Sequence, residues 1–94
     1  MHISEFQDLM RRTYLERDSA RGRDAVFRWL TEEIGEVARA MRHEDRLALE
    51  HEVGDVLAWL TSLANVLGVD VEAAAGRFSD GCPKCGSIPC ACSL

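Results

Sequence analysis

Five carboxylates dominate the chemistry this chain could perform: Glu32, Glu33 and Glu36 in the run EEIGE, then Glu52 and Asp55 in the run EVGD. Glu33 and Glu36 are three residues apart, and so are Glu52 and Asp55. On a helix that spacing puts both side chains on one face, with Cβ atoms about 5–6 Å apart. Fifteen residues separate the two groups. In a helical hairpin that turns near Glu44, positions 36 and 52 share one level and positions 33 and 55 the next. Two antiparallel helices then face their acids across a compact all-oxygen site. Hard divalent cations, Mg²⁺ first and Mn²⁺ second, prefer such donors, and a Mg²⁺ site of this kind usually handles phosphates.

Like charges at this spacing repel by a few tenths of a kcal/mol per pair. Facing the pairs across a hairpin adds to the conflict, and only Arg28–Glu32 offers a countercharge at the favourable spacing. A bound cation resolves it; a solvated acidic helix surface is the plain alternative. Further features favour the site. Gly35 and Gly54 sit beside the acids inside helices, where each costs about 1 kcal/mol relative to Ala. They make sense where a helix or a ligand approaches the backbone closely. Trp29 precedes Glu33 by four residues and Trp59 follows Asp55 by four. Both then flank the acids and offer a nucleotide base a surface to stack on, with ordinary core packing as the alternative.

The elements that must position these groups are helical. Ile3, Phe6, Leu9, Met10 and Tyr14 recur at helical spacing and predict a first helix over 4–17, with Ser4 and Gln7 as a capping box. The stretch 18–22 breaks the pattern and reads as a loop. Asp24 is a good N-cap for a second helix to about Arg42, with Phe27, Leu30, Ile34, Val37, Ala38 and Met41 as its core stripe. A polar turn at 43–46 leads to a third helix over 47–67, stopped by Gly68. A single unbroken helix through this turn is the weaker alternative. The second half of helix three, VLAWLTSLANVL, is apolar on nearly every side and wants burial all round. One hairpin cannot supply that, so a partner subunit is expected. Asp70 caps a short helix ending near Phe78.

Ninety-four residues imply one modest core. A net charge of −5 argues against broad nucleic-acid or anionic-membrane binding. The charge is uneven: residues 11–28 carry six Arg against three acids, and 29–80 carry eleven acids against four Arg. The basic stretch could help hold polyphosphate beside the acidic site; a solvated helix surface is the plainer account. The polar start MHISEFQD does not resemble a signal peptide, and no apolar run approaches the ~20 residues of a bilayer span. A cytoplasmic location is expected. His2, His43 and His51 read as isolated and solvated, and no Gly-rich phosphate loop is present.

EExxE followed by ExxD, with the run EVGDVLAWLTSLANVLGVDVEAA, resembles the MazG-like nucleotide pyrophosphohydrolases of the all-α NTP pyrophosphatase superfamily. The resemblance covers roughly residues 5–78 and continues through the GCPKCG tail of short MazG-like proteins. It implies an all-α fold: a helical hairpin with flanking helices in a four-helix-bundle-like arrangement, assembled as a homodimer or homotetramer. It also implies a Mg²⁺-dependent enzyme that cuts NTPs or dNTPs between the α and β phosphates, giving a monophosphate and pyrophosphate. Carried over by position, Glu33, Glu36, Glu52 and Asp55 are the metal ligands. Glu36 also belongs to the catalytic pair with Glu32, the extra acid, which either supports the ligands or takes a proton from water. Trp59, with Trp29 beside it, stands where the base binds. Arg77 stands near where relatives place a Lys that meets phosphate. Relatives continue past the last helix with more Lys and Arg; here phosphate contacts are expected from the Arg-rich first loop or from a partner subunit.

Residues 79–94 form a separate unit beyond a 1–78 helical domain. Cys82, Cys85, Cys90 and Cys92 read C-x2-C-x4-C-x-C, and CPKCG resembles half of a zinc knuckle. Zinc, reduced thiols and disulfides all stay open for this tail. Two other functions compete with the first: a non-catalytic helical interaction module with a zinc-binding tail, and a phosphoribosyl-ATP pyrophosphohydrolase. Mg²⁺ binding at the acids separates an enzyme from an interaction module.

Overall fold

The computed structural model describes residues 1–94 and contains helices and no strands. Helix α1 spans Ile3–Arg21, α2 Arg23–Arg42, α3 Arg46–Leu67 and α4 Val71–Ala75, followed by a 3-10 turn over Gly76–Phe78. The all-α expectation holds. Helix α3 is central: it packs most extensively on α2 and next on α1, while α1 and α2 touch less. Three long helices and one short one leave the bundle open. Its radius of gyration is 15.5 Å, against about 12 Å for a compact chain of this length.

Local chemistry sets the element boundaries. At the start of α1 the His2 N–H donates to Glu5 Oε1 at 3.2 Å, so the cap lies two residues earlier than the Ser4–Gln7 box. Gln7 is buried instead. Its amide nitrogen donates to Asn65 Oδ1 at 3.0 Å and to the Val69 carbonyl at 2.8 Å. Its amide oxygen accepts from the Val71 N–H at 2.9 Å. One side chain thereby fastens α1 to the corner between α3 and α4, with both its amide nitrogen and its amide oxygen satisfied.

The expected loop at 18–22 is helical up to Arg21, and Gly22 alone separates α1 from α2. Gly22 adopts φ 90°, ψ 156°, a conformation that is essentially restricted to glycine. One such residue bends the chain between the two helices, so no loop is needed. Asp24 is therefore not the cap but lies in the first turn of α2, where its charge still favours the helix N-terminus.

The hairpin between α2 and α3 turns where the sequence places it. Glu44 takes a left-handed φ of 52°, and the Asp45 side chain accepts from the Ala48 N–H at 3.1 Å. The unbroken-helix alternative is thereby excluded. Gly68 ends α3 at φ 71°, with the Val69 N–H on the Ala64 carbonyl at 2.8 Å and the Gly68 N–H on that of Asn65 at 3.3 Å. That pair of bonds is a Schellman motif. Asp70 then caps α4 by accepting from the Glu72 and Ala73 N–H groups.

The core is small: Met10, Val26, Leu30, Ala40 and Ala64, with buried Gln7, Asp18, Thr61 and Ser62. Of the stripe expected on α2 only Leu30 is buried; Phe27, Ile34 and Met41 are 56%, 54% and 62% exposed. The face that α2 turns to α3 is the one carrying Val26, Leu30, Glu33, Val37 and Ala40. The acids occupy the inner face, so the larger apolar groups point outward. Val53, Leu57, Leu60 and Leu67 form a second exposed stripe on α3. Gly35 and Gly54 also face open space, with nothing within 4 Å of where a Cβ would stand. No close approach within the chain explains them. No single helix is long and apolar enough to cross a membrane.

Gly22→Ala is expected to lower stability by about 1–3 kcal/mol from backbone strain alone, since no neighbour lies within reach of a Cβ there. Thermal unfolding by circular dichroism checks this; an unchanged midpoint contradicts it.

Candidate active site

The hairpin brings the two acidic groups together. Glu33 and Glu36 on α2 face Glu52 and Asp55 on α3, and all four are half-buried. The effect on Glu33 is direct. Its carboxyl is held above the ordinary value of 4.5, first by burial, then by hydrogen bonding with Glu52 and by the negative charges of Asp55, Glu52 and Glu36. No Lys or Arg forms an ion pair with any of these four acids.

The tightest group differs from the expected four. Ligand atoms of His51, Glu52 and Asp55 lie within 4.8 Å of one another, and His51 Nε2 is 3.4 Å from Asp55 Oδ2. His51 is thus not isolated: at i, i+4 on α3 its ring reaches a carboxylate that has no Arg or Lys partner. Glu33 and Glu36 border this group, and Glu36 and Glu52 line one shallow hollow near the turn with Arg39 and His43. Glu32 is exposed on another side of α2, where it lines a hollow with Arg28 and Trp29. It is not among the charges that act on Glu33.

At its other end the acidic group opens onto a cavity of about 230 Å³ between α1 and α3, lined by Tyr14, Arg17, Asp18, Arg21, Asp55 and Trp59, among others. Asp18 is only 2% exposed, and its carboxylate lies 3.8 Å from Arg21 Nε. The Arg21 guanidinium lies 5.4 Å from the centre of the Trp59 ring. Trp29 and Trp59 stack on each other with centroids 5.7 Å apart and planes inclined by 12°. Arg77 is elsewhere, over the Phe78 ring in the 3-10 turn, and does not line this cavity.

Tyr14, Arg17, Asp18 and Arg21 are the part of the site that sequence reasoning missed as specific residues. Their signal is present: positions 14, 17, 18 and 21 repeat at helical spacing. Ending α1 at residue 17 split that face in two.

In the tail, the four Cys Sγ atoms converge within 4.8 Å of one another. Backbone N–H groups of Ala91 and Ser87 push the Cys85 thiol down to about 6. Hydrogen bonding with Cys90, Cys82 and Cys85 pushes Cys92 up to about 11.

Residues 21–83 match the MazG nucleotide pyrophosphohydrolase domain. The chain belongs to that family, and the match takes in the whole acidic hairpin while leaving out most of α1. A Bacillus subtilis (strain 168) protein named "Uncharacterized protein YpjD" is 41% identical over 63 residues, covering 56% of this chain and 57% of that relative. The chain therefore spans little more than half the length of the curated relative it matches.

The donor set fits the divalent cation that family membership implies: four half-buried carboxylates with no Arg or Lys partner, one of them already held toward its neutral form. Folding raises the Glu33 pKa, so the folded chain keeps a proton that the unfolded chain has lost. Stability contributed by this group is then greatest below pH 4.5 and falls as pH rises through the raised value. Glu33→Gln is expected to flatten that pH dependence in chelator. It should also raise the melting point there by about 2–4 °C, through roughly 0.5 kcal/mol of relieved repulsion. The same variant should lose the upward shift that Mg²⁺ gives the parent chain. Melting curves with EDTA and with Mg²⁺ check all three, and an equal Mg²⁺ shift in both proteins contradicts them.

Proposed function

We propose that this protein is a Mg²⁺-dependent (d)NTP pyrophosphohydrolase that cleaves between the α and β phosphates, releasing a nucleoside monophosphate and pyrophosphate. The observation that carries the reading is contiguity. Asp55 belongs both to the acidic group and to the wall of the Arg- and Trp-lined cavity. A substrate with a polyanion at one end and a flat base at the other matches such a surface.

Glu33, Glu36, Glu52 and Asp55 would hold the cation, Mg²⁺ or Mn²⁺, with His51 orienting Asp55. A bound cation of this kind neutralises phosphate oxygens and acidifies water. The remaining work belongs to the chain. Arg17 and Arg21 place fixed positive charge beside the phosphates, which is most of what phosphoryl transfer requires of a protein. The Trp59 ring, held flat by Trp29, gives the base a face to stack on. Of the catalytic pair, Glu36 lies at the acidic group and Glu32 on the outer side of α2. Glu36 would then orient the attacking water beside the cation it helps to hold, and Glu32 would support the ligands from the rim. Arg77 reaches phosphate only if a second subunit brings it to a site.

A second copy of the chain is part of this reading. The exposed stripe of Phe27, Ile34 and Met41 and that of Val53, Leu57 and Leu60 lack an intramolecular partner. Gly35 and Gly54 lie among them in open space, where a facing helix would explain both. A homodimer or homotetramer built on these faces supplies the burial that α3 lacks. Four free cysteines suit a reducing cytoplasm. The role is that of a house-cleaning enzyme acting on free nucleotides.

The parent chain is expected to release pyrophosphate from one or more members of an NTP and dNTP panel only when Mg²⁺ is present. Glu36→Gln should lower kcat by about 10²-fold or more, and Arg21→Ala should raise KM about tenfold. Cleavage of phosphoribosyl-ATP in preference to every triphosphate would redirect the assignment; no turnover and no Mg²⁺ uptake would favour an interaction module. Light scattering after gel filtration is expected to give a dimer or tetramer that Ile34→Asp converts to monomer, and a monomeric parent chain would contradict the interface.

A further inference from the structure

The four cysteines take no part in the nucleotide site, and the segment that carries them has no means of holding itself together. Residues 79–94 form no helix or strand, and most of their side chains are exposed. Ordering a residue costs about 1–2 kcal/mol of backbone entropy, and no apolar core offsets it here. Something must cross-link this segment.

We propose that Cys82, Cys85, Cys90 and Cys92 bind one Zn²⁺ as a closed, structural tetrathiolate site. The sulfur geometry carries the assignment. A tetrahedron with Zn–S of about 2.3 Å has S···S edges of about 3.8 Å. Cys82 and Cys92 Sγ lie 3.6 Å apart and Cys85 and Cys90 Sγ 4.0 Å apart, and all four atoms fall within 4.8 Å of one another. Both pairs lie well beyond the ~2.05 Å of an S–S bond, and all four cysteines are free.

The backbone is arranged around the same point. The Ala91 N–H donates to Cys85 Sγ at 3.3 Å, and the Cys92 N–H to Cys90 Sγ at 3.4 Å. Such amides support the negative charge of metal-bound thiolates and fix the ligands. The Gly86 N–H closes the first Cys-x2-Cys turn on the Cys82 carbonyl at 2.7 Å, with Gly86 at φ 71°. The Cys82 N–H donates to the Ser87 carbonyl at 3.2 Å, which ties that turn to the second. Gly81, at φ 104°, leaves no space for a side chain: a Cβ would lie 2.6 Å from Ile88 Cγ1. The two turns are thus pressed together, with all four thiols at their junction. Four Cys ligands leave no open coordination position, so the role is to fold the tail and not to catalyse.

Lys84, between Pro83 and Cys85, is the only lysine in the chain. A lysine-specific protease therefore has one site, inside the first turn. The experiment uses the full-length chain without an affinity tag, purified under reductant, given excess Zn²⁺ and passed through gel filtration. Elemental analysis is expected to find about one Zn²⁺ per chain, with cleavage after Lys84 slow until a zinc chelator is added. Co²⁺ in place of Zn²⁺ should give the visible bands of a tetrahedral tetrathiolate. Cys85→Ser and, separately, Cys90→Ser should each lower zinc affinity about tenfold or more while leaving helical circular dichroism unchanged. A reduced chain that retains no zinc, or zinc retained equally by both variants, overturns the proposal. So does a tail that resists the protease only when its thiols are oxidised.

Discussion

The repulsion among carboxylates between α2 and α3 is the constraint on which the rest of the structure depends. Val26, Leu30 and Ala40 of the inner face of α2 are buried, yet Glu33 and Glu36 share that face with them. Acids on the packing face of a helix weaken the fold unless they are compensated. No Arg or Lys forms an ion pair with them. The chain accepts a small core, five buried apolar residues, to keep oxygen donors at the centre of its most extensive helix contact. Displacing apolar groups to the outside leaves the exposed stripes on α2 and α3, so the acidic inner face and the uncovered apolar faces have one origin.

Helix α1 supplies what the acidic hairpin lacks. Gly22 turns the chain without a loop, which keeps the C-terminal end of α1 helical and holds Arg17 and Arg21 over α3. Asp18, buried below them, pairs with Arg21 and fixes its position beside Trp59. At the opposite end, Gln7 bonds α1 to Asn65, Val69 and Val71. Gln7 thus fastens one end of α1 to its neighbours, while the Asp18–Arg21 pair within α1 sets the Arg21 side chain at the other, and a basic stretch whose pattern reads partly as a loop becomes one wall of a cavity.

Much of this was legible in the residues themselves. The hairpin, its turn at Glu44, the stop at Gly68 and the cap at Asp70 follow from local chemistry, and the acids meet because their distances from the turn match. Other features depended on tertiary context. A glycine at φ 90° allows a one-residue break, which no composition signal distinguishes from a longer loop. Phe27, Ile34 and Met41 have the right period for a core stripe, but periodicity does not say whether the covering surface belongs to the same chain. His51 looked isolated because its partner is a site residue one turn along. Gly35 and Gly54 face open space, so no helix of the same chain makes the close approach that their positions suggest.

One cation-binding centre that joins the acids to the Arg- and Trp-lined cavity is what the proposed chemistry requires above all. The most direct measurement is paramagnetic broadening by Mn²⁺ of side-chain NMR signals in the full-length chain, with a nucleotide that carries a non-hydrolysable α–β bridge. Broadening is expected to centre on Glu33, Glu52 and Asp55, to extend to the Trp59 indole and the Arg21 guanidinium, and to be stronger with nucleotide than without. Broadening centred on another acidic surface, such as Glu44 and Asp45, or identical with and without nucleotide, would contradict a joint centre.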